Sequence, residues 1–170
     1  ADAIESKKHF AVEYRLITKD NSIKWVWEQG LAVYDQQGNC LYLDGIITDI
    51  SDRKKIEEEQ TRLTTAVEQT DDLIIITDSE GSILYANPAF ERVTGYRLAE
   101  VKGCNPRILK SGHQDENYYD RLWGELSAGR VWRGNFINRK KDGSKYIAEV
   151  TISPIRDKQG DLINYIGVQR

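Results

Sequence analysis

The 170-residue chain has no methionine, two cysteines, two histidines and three prolines. Without methionine it lacks an initiator residue, so a segment of a longer protein is expected. Cys40 and Cys104 are far apart and make no Cys-x-x-Cys pair. That excludes a disulfide scaffold and points to a reducing, cytoplasmic setting. His9 and His113 have no Cys or Asp set at ligand spacing beside them, so no metal site is expected. No apolar run approaches the roughly 18 residues of a membrane helix, and no signal peptide opens the chain. Lys and Arg total 24 against 27 Asp and Glu, a net charge of −3. This is the wrong balance for a chain whose partner is nucleic acid. There is no Gly-x-Gly-x-x-Gly, no Walker loop and no nucleophile–base pair, so the segment is not expected to be an enzyme.

What is present is an ordinary globular composition, 39% hydrophobic and 30% charged, with four Trp and nine Tyr for packing. It also contains a repeat. "TKDNSIKWVWEQGLAVYDQQGNCLYLDGII" and "KKDGSKYIAEVTISPIRDKQGDLINYIGVQ" align without a gap. Asp20 recurs as Asp142, Asp35 as Asp157, Gly38 as Gly160 and Gly45 as Gly167, each 122 residues on. One register shared by two turns and three apolar runs indicates duplication. Only 18 residues precede Lys19, so the first copy lacks its opening half.

Residues 1–8 read as the end of a helix. "HFAVEYRLIT", "IKWVWEQGLAVYD" and "NCLYLDGIITDI" read as strands joined by the turns KDNS and DQQG. "SDRKKIEEEQTRLTTAVEQ" has no Gly or Pro and predicts a helix that Asp49, Ser51 or Asp52 can cap. Ile56 and Leu63 stand seven apart on it, the spacing of a short dimer seam. A solvated linker helix is the other reading. "DLIIITDSEGSILYAN" gives two strands around a turn. "NPAFERVTGY" predicts a helix with Asn87 as N-cap, Pro88 at its first turn and Gly95 past its end. "RLAEVKG" adds a turn or two of helix. In "DENYYDRLWGELSAG", Tyr119, Leu122, Trp123 and Leu126 recur at helical spacing and Gly129 ends the run. Three strands follow. The order β-β-α-α-α-β-β-β predicts an α+β domain rather than a parallel doubly wound one.

These runs resemble PAS domains. "IIITDSEGSILYANPAFERVTGY" is similar to the PAS opening, and "WRGNFINRKKDGSKYIAEVTISPIRDKQGDLINYIGVQR" to the closing PAC strands. The resemblance implies a five-stranded antiparallel sheet with helices clasping one face, and ligands held between the two. It implies three parts. Residues 1–50 are the C-terminal part of a first PAS domain, 51–66 a linker helix and 67–170 a second, complete PAS domain. "DISDRKK" resembles the junction that follows PAS domains in bacterial sensors.

"GCNPRILKSG", residues 103–112, bears on cofactor choice. Light-oxygen-voltage PAS domains carry Gly-x-Asn-Cys-Arg-Phe-Leu here, and their cysteine forms a photoadduct with flavin. This chain has Pro106 at that position, and Cys104 lies two residues early. The resemblance therefore implies no photoadduct. Asn105, Asn138 and Gln169 match amides that contact flavin, while Ala148 stands where a further asparagine is usual. "NPRILKSG" with "VWRGNFINRKKDG" resembles still more the redox-sensing PAS domains that hold FAD without a covalent bond, and that resemblance implies Trp132 as a pocket-lining aromatic. FAD or FMN is the cofactor implied; otherwise none. Amides suit the task because each both donates and accepts hydrogen bonds. Haem is the rival, with His113 just ahead of the long helix as ligand. The function implied is that of a sensory module of a bacterial signalling protein, such as a two-component system, responding to redox state, oxygen or a small ligand. It would act as a homodimer on an output domain in the same chain: a histidine kinase, diguanylate cyclase or phosphodiesterase. The alternative is a cofactor-free interaction and dimerisation module.

Overall fold

A computed structural model describes residues 9–170; the expected helix end over 1–8 lies outside them. The chain divides into two compact units, one running to Leu63 and the other Thr64–Arg170.

In the first unit, β1 (Phe10–Ile17), β2 (Ile23–Tyr34) and β3 (Cys40–Asp49) form an antiparallel sheet in that order. The KDNS turn places Asn21 at φ 62°, a left-handed conformation that asparagine tolerates. In the next turn the Asp35 carboxylate accepts from the backbone N–H of Gln37 and of Asn39. Gly30 faces Gly45 across β2 and β3. A Cβ on Gly45 would lie 2.3 Å from the Gln29 carbonyl oxygen, so the two strands approach too closely for a side chain. Val26 is the buried apolar residue of this sheet, whereas Leu41, Leu43, Ile46 and Ile47 are exposed. The outer edge of β3 pairs with no strand among the described residues.

Helix α1 (Ser51–Gln69) starts where Asp49 accepts from the Ser51 N–H at 2.9 Å and covers the whole run expected to be helical. Lys24, at 2.7 Å, and then Ser51 hold the Asp49 carboxyl well below the usual carboxylate range.

The second unit holds β4 (Leu73–Asp78), β5 (Ile83–Ala86), α2 (Pro88–Thr94), α3 (Leu98–Val101), a 3-10 turn (Pro106–Leu109), α4 (Glu116–Ser127), β6 (Trp132–Arg139), β7 (Lys145–Arg156) and β8 (Leu162–Gln169). Its strands form one antiparallel sheet in the order β5-β4-β8-β7-β6. This is the expected α+β architecture. The caps also match expectation: Asn87 accepts from the Phe90 N–H, and Gly95 closes α2 at φ 76°. The 3-10 turn was not expected. It forms because Asn105 caps it, accepting from the Arg107 N–H, and Pro106 takes the first position.

Both outer edges of this sheet are closed by segments that are not strands. On β5, the Ile83 N–H donates to the Cys104 carbonyl and its own carbonyl accepts from the Gly103 N–H, both at 2.8 Å. On β6, the Asn135 carbonyl accepts from the Tyr118 hydroxyl at 2.7 Å, and the Ile137 carbonyl accepts from the Ser111 hydroxyl.

The 122-residue offset extends to geometry. Gly30 opposite Gly45 recurs as Ile152 opposite Gly167, and the bulge after Val33 recurs after Ile155. The turn bond from Thr18 N–H to Ser22 O recurs from Lys140 N–H to Ser144 O, each at 2.8 Å.

Candidate functional site

The core of the second unit is split. One cluster gathers Leu73, Ile75, Ile83, Ala86, Phe90, Val101 and Leu109. The other gathers Leu122, Leu126, Trp132, Ala148, Val150 and Tyr165. Between them lies a cavity of about 170 Å³ that opens to solvent. Both clusters contribute wall: Ile75 and Leu109 from the first, Leu122, Leu126, Val150 and Tyr165 from the second. Its mainly apolar lining suits a small-molecule site. Tyr119, Trp123 and Phe136 add aromatic surface, and Arg107 and Lys110 add two cations. The Lys110 ammonium stands 3.4 Å from the Tyr119 ring centroid, a close cation–π contact.

Asn105, Asn138 and Gln169 all line this cavity, brought together from the 3-10 turn, β6 and β8. Asn138 is 6% exposed. Its Nδ2 lies 3.3 Å from Oε1 of Gln169 and 3.4 Å from the Tyr146 hydroxyl. That hydroxyl lies 3.2 Å from the same Gln169 oxygen. Burial pushes the Tyr146 phenol up to about 12, so it keeps its proton at neutral pH. Asn105 both caps its turn and lines the cavity. Its Nδ2 lies so near Gly81 that a Cβ there would meet it at 2.8 Å.

Trp132 is placed differently from expectation. It is not part of the cavity lining; it is buried behind it, 5.2 Å centroid to centroid from Phe136. The physical reason is Gly134. A Cβ on Gly134 would lie 2.5 Å from both the Trp132 ring and the Tyr118 hydroxyl, so glycine lets the indole fold over the strand under Tyr118. Pro106 does line the cavity, and Cys104 does not; the Cys104 thiol lies 3.9 Å from the Glu100 carbonyl. His113 is exposed and outside the lining.

Tyr146 and Lys110 escaped the sequence reading. The signal for Tyr146 was there: it shares the inward alternation of β7 with Ala148 and Val150, and Asn138 is its cross-strand partner. Lys110 gave no local signal, because its contact to Tyr119 depends on how the 3-10 turn meets α4. Among the described residues, no cluster of His, Cys, Asp and Glu could hold a metal.

A split core around an amide-ended cavity under a five-stranded sheet defines a ligand-pocket α+β domain. Residues 71–170 match the PAS domain family, and residues 1–47 match the PAS fold family. The chain belongs to the PAS family of sensor domains. It is 42% identical over 106 residues to a nitrogen fixation regulatory protein of Klebsiella oxytoca, covering 62% of this chain and 21% of that protein. It is 34% identical over 115 residues to phototropin-1A of Oryza sativa subsp. japonica, covering 68% and 12%. The chain thus spans about a fifth or less of these relatives' length. The solved PAS domain of a Colwellia psychrerythraea protein superposes with a TM-score of 0.61 at 21% identity, over 66% of this chain and 95% of that one. No helix among the described residues is long and apolar enough to cross a membrane.

Proposed function

We propose that this segment is the sensory input of a signalling protein and that its second unit, residues 67–170, holds a non-covalent flavin. One observation carries the reading: Asn138, which is buried, and Gln169 meet in the lining of a largely apolar and aromatic cavity. Two linked amides inside apolar walls suit a flat heteroaromatic edge that alternates donors and acceptors. Asn105 adds a third amide from the 3-10 turn. Similarity to a nitrogen fixation regulatory protein supports a regulatory rather than catalytic role.

The residues divide the work. Asn138 and Gln169 orient the ring edge. Tyr119, Phe136 and Trp123 exclude water from its faces. Arg107 and Lys110, also in the lining, would supply positive charge to an anionic tail. When bound, a flavin supplies reversible two-electron chemistry with a change in ring protonation, which is what a redox sensor reports. Residues 1–50 are the closing half of a preceding PAS domain, and residues 51–66, within α1, link it to the second. The signal passes through α1 and a homodimer to an output domain of the same chain, in the cytoplasm of a bacterium. The haem alternative draws no support from an exposed His113 outside the cavity.

The test is the visible spectrum of the purified chain, before and after incubation with FAD. The expected result is the yellow spectrum of oxidised flavin, released intact on denaturation. Blue light should produce no stable adduct, since Pro106 offers no thiolate. A chain that stays colourless after refolding with FAD or FMN would leave the cofactor-free module standing.

A further inference from the structure

One segment closes both edges of the five-stranded sheet. At β5, the Gly103 N–H donates to the Ile83 carbonyl and the Ile83 N–H to the Cys104 carbonyl, both at 2.8 Å. At β6, the far edge, Lys110 makes an isolated antiparallel bridge with Asn138, and the Ser111 hydroxyl donates to the Ile137 carbonyl. Between these ends the chain crosses the cavity, and Asn105, Pro106, Arg107, Leu109 and Lys110 line it. The crossing is stiff. Pro106 fixes its own φ. The Asn105 carbonyl accepts from the Ile108 N–H at 3.2 Å, and the Arg107 carbonyl from the Lys110 N–H at 3.0 Å. Glycines bound the segment on both sides, Gly103 at φ 79° and Gly112 at φ 80°. A Cβ on either would meet nothing within 4 Å, so backbone conformation, not packing, calls for glycine there. A stiff segment between two such joints moves as a unit.

We propose that residues 104–111 are a flap over the cavity, hinged on β5 and latched to β6 by the Ser111 hydroxyl, and that ligand enters and leaves when the latch opens. The two ends are held unequally. The β5 end has its two short backbone bonds and a third, from the Cys104 N–H to the Val101 carbonyl at 2.9 Å. The β6 end has the bridge, one side-chain bond and the contact of the Lys110 ammonium with the Tyr119 ring. Side-chain contacts break by rotation about single bonds and leave the strands intact, so the β6 end is the one that opens. Leu109 is 2% exposed and packs in the first core cluster, which makes the closed position the resting one and the open position a minor state. Ser111 is a positioning residue: it does not line the cavity and acts by holding the residues that do. The occupant rests on the flavin reading, but the flap itself does not.

The experiment is stopped-flow uptake of FAD by the ligand-free chain, followed by flavin absorbance. Uptake over a range of FAD concentrations gives the association rate from the slope and the release rate from the intercept. A flap governs both directions. Ser111→Ala should raise association and release together, each by about threefold or more, and leave the dissociation constant nearly unchanged. Ser111→Thr, which keeps a hydroxyl, should restore both rates. Tyr118→Phe removes a bond to the same strand, at Asn135, but from α4, and should change neither. Faster release with unchanged association would make Ser111 part of an ordinary wall and overturns the proposal, as does equal acceleration in Tyr118→Phe. If the chain takes up no FAD, the flavin reading fails on its own, and the flap is read by amide exchange of the ligand-free chain. In Ser111→Ala, exchange over residues 137–139 should quicken by about threefold or more, while Ile83 and Gly103 keep their protection. No change at β6, or equal quickening at β5, overturns the proposal.

Discussion

Asn87 is fully buried, and both polar atoms of its side chain are used twice. Oδ1 accepts from the Ile74 N–H at 2.9 Å and the Phe90 N–H at 3.2 Å. Nδ2 donates to the Asp72 carbonyl at 2.9 Å and the Val67 carbonyl at 3.1 Å. One residue thus caps α2, fixes the start of β4 and holds the end of α1. Asn87→Asp keeps the size and the cap but turns an anionic oxygen toward two carbonyl oxygens. It should lower stability by about 3 kcal/mol or more, read as a lower urea midpoint for the second unit. An unchanged midpoint would mean the Asp72 and Val67 bonds contribute nothing. The cap was legible in the sequence because capping is local, Asn before Pro and apolar residues. The bonds to Val67 and Asp72 were not, since partners 20 and 15 residues away are set by tertiary packing. The same division runs through the site. Asn105, Asn138 and Gln169 were named from their resemblance to family motifs, and all three line the cavity. The burial of Trp132 was not, because it depends on Gly134 being empty under the ring.

Helix α1 has no buried residue; Ile56 is 56% exposed and Leu63 is 63% exposed. Ordinary surface helices bury an apolar stripe against their own core, and these two do not. Their seven-residue spacing fits a seam with a second copy of the helix, while Arg53 and Lys54 are engaged sideways by Glu13. Ile56→Glu should therefore shift sedimentation toward monomer; an unchanged sedimentation coefficient would place any dimer contact elsewhere. Strands, turns and capped helices were legible as elements, because alternation, Asp-x-x-Gly turns and N-caps are written in neighbouring residues. The 3-10 turn was not. "NPRIL" is too short for periodicity, and only its contacts with β5 and β6 make it a wall.

The duplication holds to the level of a bulge and single turn bonds, yet the two copies differ at the positions proposed to read a ligand. Leu16 stands where the second copy has Asn138, and Ile47 where it has Gln169. The first sheet carries no amide pair to orient a polar ring. Saturating FAD should accordingly bind at one equivalent per chain, counted from absorbance after gel filtration, and two equivalents would contradict the assignment. The edges of the two sheets also have different fates. The five-stranded sheet is partly capped on both sides: Gly103 and Cys104 bond Ile83 of β5, and Ser111 and Tyr118 bond the carbonyls of Ile137 and Asn135 on β6. β3 ends on open backbone, and "CLYLDGII" along it carries one charge, Asp44. Edge-to-edge pairing of this sheet, the first step to a cross-β fibril, has two routes among the described residues, the outer strands β1 and β3, and Asp44 is the charge that guards the second.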